Sequence, residues 1–196
     1  MSRIRHGRVR LHQDPRRGYT VNHVLRIEPA KPSDTRALNE IAKSTFALAC
    51  PPDSDKLEIA QYVVEHFNER QFEQQLIGDD TPVFCAWADA NIIGFLVLKL
   101  SNPCPINPSI RNAAQLRRLY VSASFHGTGA SDLLMRAAFD VCKHHHQAAI
   151  WLSVFNKNLR AINFYAKYGF TKVGSTNFEM GHEIHLDDVM LASLTN

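Results

Sequence analysis

Two apolar runs, Val83 to Ala88 and Ile92 to Lys99, are joined only by Asp89-Ala90-Asn91, and they constrain this chain more than anything else in it. Each has strand length, and neither alternates polar with apolar as a strand with one wet face does. Runs of this kind belong to strands covered on both sides, so the pair predicts a sheet with helices packed on its faces. The flanking segments supply those helices. After a short strand at Val24 to Ile27, Ser33 or Asp34 can cap a helix whose apolar face is Ala37, Leu38, Ile41, Ala42 and Phe46. Asp55 and Glu58 open a second helix bearing Ile59, Val63 and Phe67. A third carries Phe72, Leu76 and Ile77 and is stopped by the turn residues Gly78 to Pro82.

Beyond the apolar pair, Pro103, Pro105 and Pro108 make residues 101–112 a loop. Leu116 to Val121 is the next strand. A glycine-containing turn leads into a helix with Leu133, Leu134, Ala137, Ala138, Val141 and Cys142 on one side. A strand over Ala149 to Val154, a helix over Leu159 to Tyr168 ended by Gly169, and strands at Phe170 to Val173 and Ile184 to Leu191 complete the chain. The expectation is one mixed α/β domain over residues 23–196, with no repeat and no second core. With 45% hydrophobic residues in a chain of 196, a core of that size can be filled.

Several function classes drop out here. No apolar run reaches the roughly 18 to 20 residues of a membrane span, and no apolar core with a cleavage site marks a secretory leader at the amino terminus. Cys50, Cys85, Cys104 and Cys142 are widely spaced with no CxxC pair, and Cys85 and Cys142 sit in apolar stretches. Free buried thiols in a reducing cytoplasm are the expectation. Residues 1–17 hold six arginines against Asp14, a local charge of +5 in a chain whose net charge is only +3, so the folded part is slightly acidic. Residues 1–22 are read as a disordered basic tail with too few apolar groups to offset the entropy of ordering it. Nucleic-acid binding is not expected, apart from a weak role for that tail. His144-His145-His146 suggests a metal, but consecutive helical residues do not converge on one point, and no metal is expected.

The turn Leu119-Tyr120-Val121-Ser122-Ala123-Ser124-Phe125-His126-Gly127-Thr128-Gly129-Ala130 runs from strand through glycines into a helix. Unpartnered N–H groups and the helix dipole favour an anion there. The third glycine of a dinucleotide fingerprint is missing, and so is the Gly-Lys-Ser/Thr ending of an NTPase loop. By itself the turn reads equally well as purely structural.

Trp151 to Phe170 is more specific. Its strand, its Asn158-Leu159-Arg160-Ala161-Ile162-Asn163-Phe164-Tyr165 helix and its Gly169-Phe170 resemble the GCN5-related N-acetyltransferases (GNAT). Ser124-Phe125-His126-Gly127-Thr128-Gly129 then resembles that family's Gln/Arg-x-x-Gly-x-Gly/Ala acetyl-CoA motif, with serine in place of the customary Gln or Arg. The resemblance implies a GNAT fold, a mixed and mostly antiparallel sheet of about seven strands flanked by four or five helices. It implies acetyl-CoA as the donor, with Leu119, Tyr120 and Val121 along the pantetheine arm and a main-chain N–H polarising the thioester carbonyl. His126, Gly127, Thr128, Gly129, Ala130 and Ser131 would hold the pyrophosphate. Asn158 would bond a pantetheine amide, or cap its helix, or both. Tyr165 would protonate the departing thiolate, or else serve only as a packed aromatic.

Around these motifs the chain is similar to bacterial polyamine acetyltransferases over roughly residues 24–194, through Phe46, Tyr62 to Phe67, Phe72, Leu76, Ile93-Gly94-Phe95 and Phe178 to Met190. Asn156 and His185 depart from that pattern, where the group has glutamate and glutamine. A polycation needs carboxylates, which Glu179, Glu183, Asp187 and Asp188 can supply, and Asp187 is nominated as general base on the family position. A small-molecule primary amine, polyamine-like, is the expected acceptor. The other readings are a protein or peptide amine, or a module that binds acyl-CoA without turnover. Relatives of this kind often form homodimers.

Overall fold

The apolar runs become the middle of a sheet. In the computed structural model, which describes residues 7–8, 23–51 and 53–194, Val83–Ala88 (β3) and Asn91–Lys99 (β4) pair antiparallel. Every residue of β4 from Ile93 to Leu98 is buried, as continuous apolar sequence requires. The remaining strands are Gly7–Arg8 (β1), Val24–Pro29 (β2), Ala113–Val121 (β5), Ala149–Phe155 (β6), Thr171–Met180 (β7) and Glu183–Ser193 (β8). Among the described residues they form one sheet in the order β1-β2-β3-β4-β5-β6-β8-β7. All neighbours are antiparallel except β5 and β6. The helices are Thr35–Ala49 (α1), Lys56–His66 (α2), Glu69–Ile77 (α3), Ala130–His144 (α4) and Leu159–Ala166 (α5). The architecture is the α/β fold expected. The basic tail expected over residues 1–22 lies outside the described residues, except for the two of β1.

Each face of the sheet carries its own layer, and this sorts the functional residues. Residues directly opposite on antiparallel strands point to the same face. On one face Leu96, Leu116, Ile150, Leu152 and Val154 pack against Leu134, Met135 and Ala138 of α4, with Ala161, Ile162 and Tyr165 of α5 beside them. On the other, Val83, Cys85, Phe95 and Val97 pack under Leu38, Ala42 and Phe46 of α1 and Phe72 of α3. The proline loop covers the end of this second face, where Cys104 meets Ala113, Ala149, Trp151 and Val189.

Caps form where acidic and amide residues precede helices. Leu57 N donates to Asp55 Oδ1 at 2.8 Å, and Ala161 N to Asn158 Oδ1 at 3.1 Å. Several boundaries differ from expectation, among them the start of β5, at Ala113 rather than Leu116. Strand β7 continues from Val173 to Met180 through Gly174-Ser175-Thr176-Asn177, a stretch with no apolar alternation that is held in register by β8. Helix α5 stops at Ala166, where Tyr168 N and Gly169 N turn back to the Tyr165 and Ala166 carbonyls and Gly169 takes φ 82°.

Candidate active site

The parallel pairing of β5 with β6 does not last. Only Ala113, Ala114 and Gln115 pair with β6, opposite Ala149, Ile150 and Trp151. From Leu116 onward β5 is bound to β4 alone, and β6 from Leu152 to Phe155 is bound to β8 alone. A residue inserted at Arg117 helps to turn β5 away, since Val97 opposes Arg118 while Leu98 opposes Leu116. The two strands therefore diverge, and on its side toward β6 strand β5 presents peptide groups over Leu116 to Tyr120 that no neighbouring strand pairs. Such an edge can bond an extended ligand as another strand would.

A cleft of about 1450 Å³ occupies this gap. On the α4 and α5 side it is bordered by the glycine turn, where Gly127 and Gly129 take φ 79° and 87°. Those values favour glycine and leave the first amides of α4 open to an anion. His126 is held by its ring, whose Nε2 donates to the Val121 carbonyl at 2.9 Å. Gly127, Gly129 and Ser131 line the cleft, whereas the side chains of Thr128 and Ala130 are buried, and the Thr128 hydroxyl donates to the Phe125 carbonyl at 2.8 Å. Only the main chain of those two can face a ligand. Asn158 caps α5 through its oxygen, which leaves its amide nitrogen for the cleft that it also lines.

Tyr165 borders the same side, and its ring packs 5.8 Å from that of Phe170 and 5.5 Å from that of Phe164. Burial pushes its phenol up to about 12, so it stays protonated across the working range. Leu119 faces the α4 layer, and Tyr120 faces the α1 layer.

The opposite mouth of the cleft belongs to the other face of the sheet. Asp187 on β8 lies opposite Phe155 on β6 and is only 8% exposed. Desolvation raises its carboxyl from 3.8 to about 6, against the opposing pull of His185 and the Ser153 hydroxyl. Around it Phe46, Tyr62 and Phe178 form an aromatic wall, with Phe46 and Tyr62 stacked at 4.8 Å and Tyr62 edge-on to Phe178 at 5.4 Å. His185 is held by Glu183, at 2.9 Å. Of the other acidic residues expected here, Asp188 is taken by Lys172 at 2.6 Å, and Glu183 also accepts from the Asp55 amide at 2.9 Å.

The structure thus brings together Tyr165, Asp187, Asn158, the β5 edge and the glycine turn. Arg118 and Tyr62 also line the cleft and were not among the expected site residues. The local signal is a pair of charges, Arg117 and Arg118, on a strand that is otherwise largely apolar, and it does not say whether either has a partner. Tyr62 carries no such signal, because a helical aromatic reads as core. Among the described residues no cluster of His, Cys, Asp or Glu could hold a metal ion, and no helix is long and apolar enough to cross a membrane.

A sequence model of the acetyltransferase (GNAT) family matches residues 42–170. An uncharacterised N-acetyltransferase of Mycobacterium tuberculosis is 32% identical over 162 residues, covering 83% of this chain and 99% of that protein. Among solved structures, the PaiA N-acetyltransferase of Thermoplasma acidophilum in complex with coenzyme A superposes with a TM-score of 0.70 at 20% identity, over 86% of this chain and 98% of that one. The ribosomal-protein-S18-alanine N-acetyltransferase of Escherichia coli gives 0.64 at 15% identity, over 88% and 95%.

Proposed function

Since this chain belongs to the acetyltransferase (GNAT) family and acts as an acetyl-CoA-dependent N-acetyltransferase, we propose that its acceptor is the primary amine of a small molecule and that the amine attacks the thioester directly. The observation that carries this reading is the opposition of Tyr165 and Asp187 across the gap between β5 and β6. The unpaired β5 edge and the amides of the glycine turn fit an extended donor that ends in phosphates. A main-chain N–H near Leu119 to Val121 is placed to meet charge as it develops on the thioester oxygen.

In the reaction the amine nitrogen forms the new C–N bond and loses a proton to Asp187, directly or through water. The C–S bond breaks with its electron pair passing to sulfur, and the Tyr165 hydroxyl donates toward that sulfur. With its phenol held near 12, tyrosine is a weaker acid than a thiol of about 8.5. Its contribution is therefore a hydrogen bond that stabilises the thiolate as charge appears, with proton delivery following.

A polyamine is the acceptor class implied by the sequence resemblance. It calls for a row of carboxylates, and Asp187 is the acidic member of the carboxy-terminal group that lines the main cleft, with Glu183 on an adjoining smaller pocket. Acetyl-CoA as donor and free, buried Cys85, Cys104 and Cys142 suit a cytoplasmic setting.

The test is acetyl-CoA-dependent thiol release over a panel of amines, with wild type compared to Tyr165→Phe. The phenylalanine keeps the ring packing and removes only the donor. Turnover is expected to fall on the order of 100-fold, with acetyl-CoA still bound. Wild-type binding of acetyl-CoA without turnover of any amine would sink the proposal in favour of a non-catalytic module.

A further inference from the structure

We propose that Arg118 is the anchor of an anion subsite in the acceptor half of the cleft, and that the amine acetylated here carries a carboxylate. The inference rests on the amine-transfer reading above and narrows its substrate class.

Arg118 lies on β5 opposite Val97, on the sheet face shared by Tyr120, Asp187 and α1. Its guanidinium carbon sits 5.3 Å from the centre of the Phe67 ring and 5.7 Å from that of Phe72. One hydrogen bond is made, from Nη1 to Gln75 Oε1 at 3.0 Å. Among the described residues no carboxylate lies within ion-pairing distance of it. Arg26 provides the comparison within the same molecule. It also stacks on an aromatic ring, that of Trp87 at 4.7 Å, but it is paired with Glu28 at 2.8 Å.

Solvent replaces the missing partner only in part. Arg118 is only partly exposed, and desolvation is the largest influence on its charge, lowering its pKa. A cation withdrawn from water without a counter-ion is unfavourable. Aromatic faces compensate in part, and Gln75 engages one of five donors in a rigid planar fork. The residue lines the cleft, so a ligand can reach donors that remain. A carboxylate matches that fork with two parallel hydrogen bonds.

Asp187 and the aromatic wall of Phe46, Tyr62 and Phe178 supply the complementary half, a place for an ammonium group that is to lose its proton. The acceptor half of the cleft thus sets the Arg118 cation and the Asp187 carboxylate on one face of the sheet. That charge pattern suits an aminocarboxylate, whereas a polyamine brings only like charge toward Arg118.

The experiment compares kcat/KM for matched pairs of aminocarboxylates and their carboxamides, with spermidine as a third arm, in wild type, Arg118→Gln and Arg118→Lys. Wild type is expected to favour the carboxylate member of at least one pair by on the order of 100-fold, mainly through KM. In Arg118→Gln that ratio is expected to collapse toward one. Arg118→Lys keeps the charge but not the fork and is expected to fall between them, which covers the case of a glutamine variant that does not fold. Acetyl-CoA affinity by titration monitors the donor half.

Wild-type preference for spermidine or for the carboxamides would overturn the subsite while leaving amine transfer standing. So would variants that lose all acceptors in equal proportion, since that is the signature of a structural arginine. Absence of acetylation of any amine would instead remove the transferase reading, and the subsite with it.

Discussion

Tyr165 and Asp187 have pKa values raised by the same cause, burial, with different chemical results. The phenol becomes a permanent donor. The carboxyl arrives at about 6, ionised at neutral pH yet still basic enough to take a proton from an amine. The acid limb of kcat/KM is therefore expected near pH 6 in wild type, and Asp187→Asn should lose on the order of 100-fold in kcat. The same substitution should stabilise the fold. Because the folded pKa lies above the unfolded value, ionised Asp187 weakens the folded state. That penalty is absent below about pH 4, grows between pH 4 and 6, and is complete above about 6. Asparagine removes it, so the variant should gain about 1 to 3 kcal/mol at pH 8 and almost nothing at pH 4. Denaturant melts at the two pH values check this, and an unchanged acid limb in the variant would refute Asp187 as the base. Both residues were nominated from their motif positions, and both line one cleft. Arg118 was not nominated, because nothing local shows that an arginine on a strand lacks a partner.

At the scale of elements, the site depends on how β5 is held while β6 departs. Gly94 on β4 lies close against β5. A Cβ at that position would lie 2.6 Å from the Tyr120 carbonyl oxygen and 2.9 Å from Val121 Cγ2. Gly94→Ala must therefore push away the segment of β5 that borders the gap. Its expected effects are a loss of about 1 to 3 kcal/mol of stability and a several-fold rise in KM for acetyl-CoA. Thermal melts and steady-state kinetics measure the two together, and a rise in KM for the amine alone would contradict this placement. Helix α5 shows the opposite case, a feature readable from local sequence. Asn158 caps it through Oδ1, and the Asn-to-Tyr spacing sets Tyr165 nearly two turns further along.

For the molecule as a whole, a sheet split between two neighbouring strands separates what the proposal takes as donor and acceptor faces. In the proposed reading, helices α4 and α5 and the glycine turn serve the donor side, and helices α1 and α2 and strand β8 serve the acceptor side. A ligand in the gap adds contacts between halves of the sheet that pair through only three residues of each strand, so it should stabilise the whole domain. At 100 times its Kd, acetyl-CoA is expected to add about 2.7 kcal/mol, or roughly 5 to 10 °C in Tm for a chain of this size. Scanning fluorimetry reads this directly, and an unmoved Tm at saturating acetyl-CoA would count against the donor site.

The sequence alone determined the strands and helices whose signal is local. The continuous apolar runs of β3 and β4, the 3.6-residue stripes of α1 and α4 and the caps at Asp55 and Asn158 are decided by neighbours within a few residues. The motifs also pointed to the glycine turn, Asn158 and Tyr165, which the fold brings to one cleft. Strand β7 beyond Val173, the divergence of β5 from β6, the burial that tunes Asp187 and the unpaired charge of Arg118 depended on tertiary structure. Each arises from groups that are distant in sequence, where pairing, desolvation and missing partners are properties of the packed molecule.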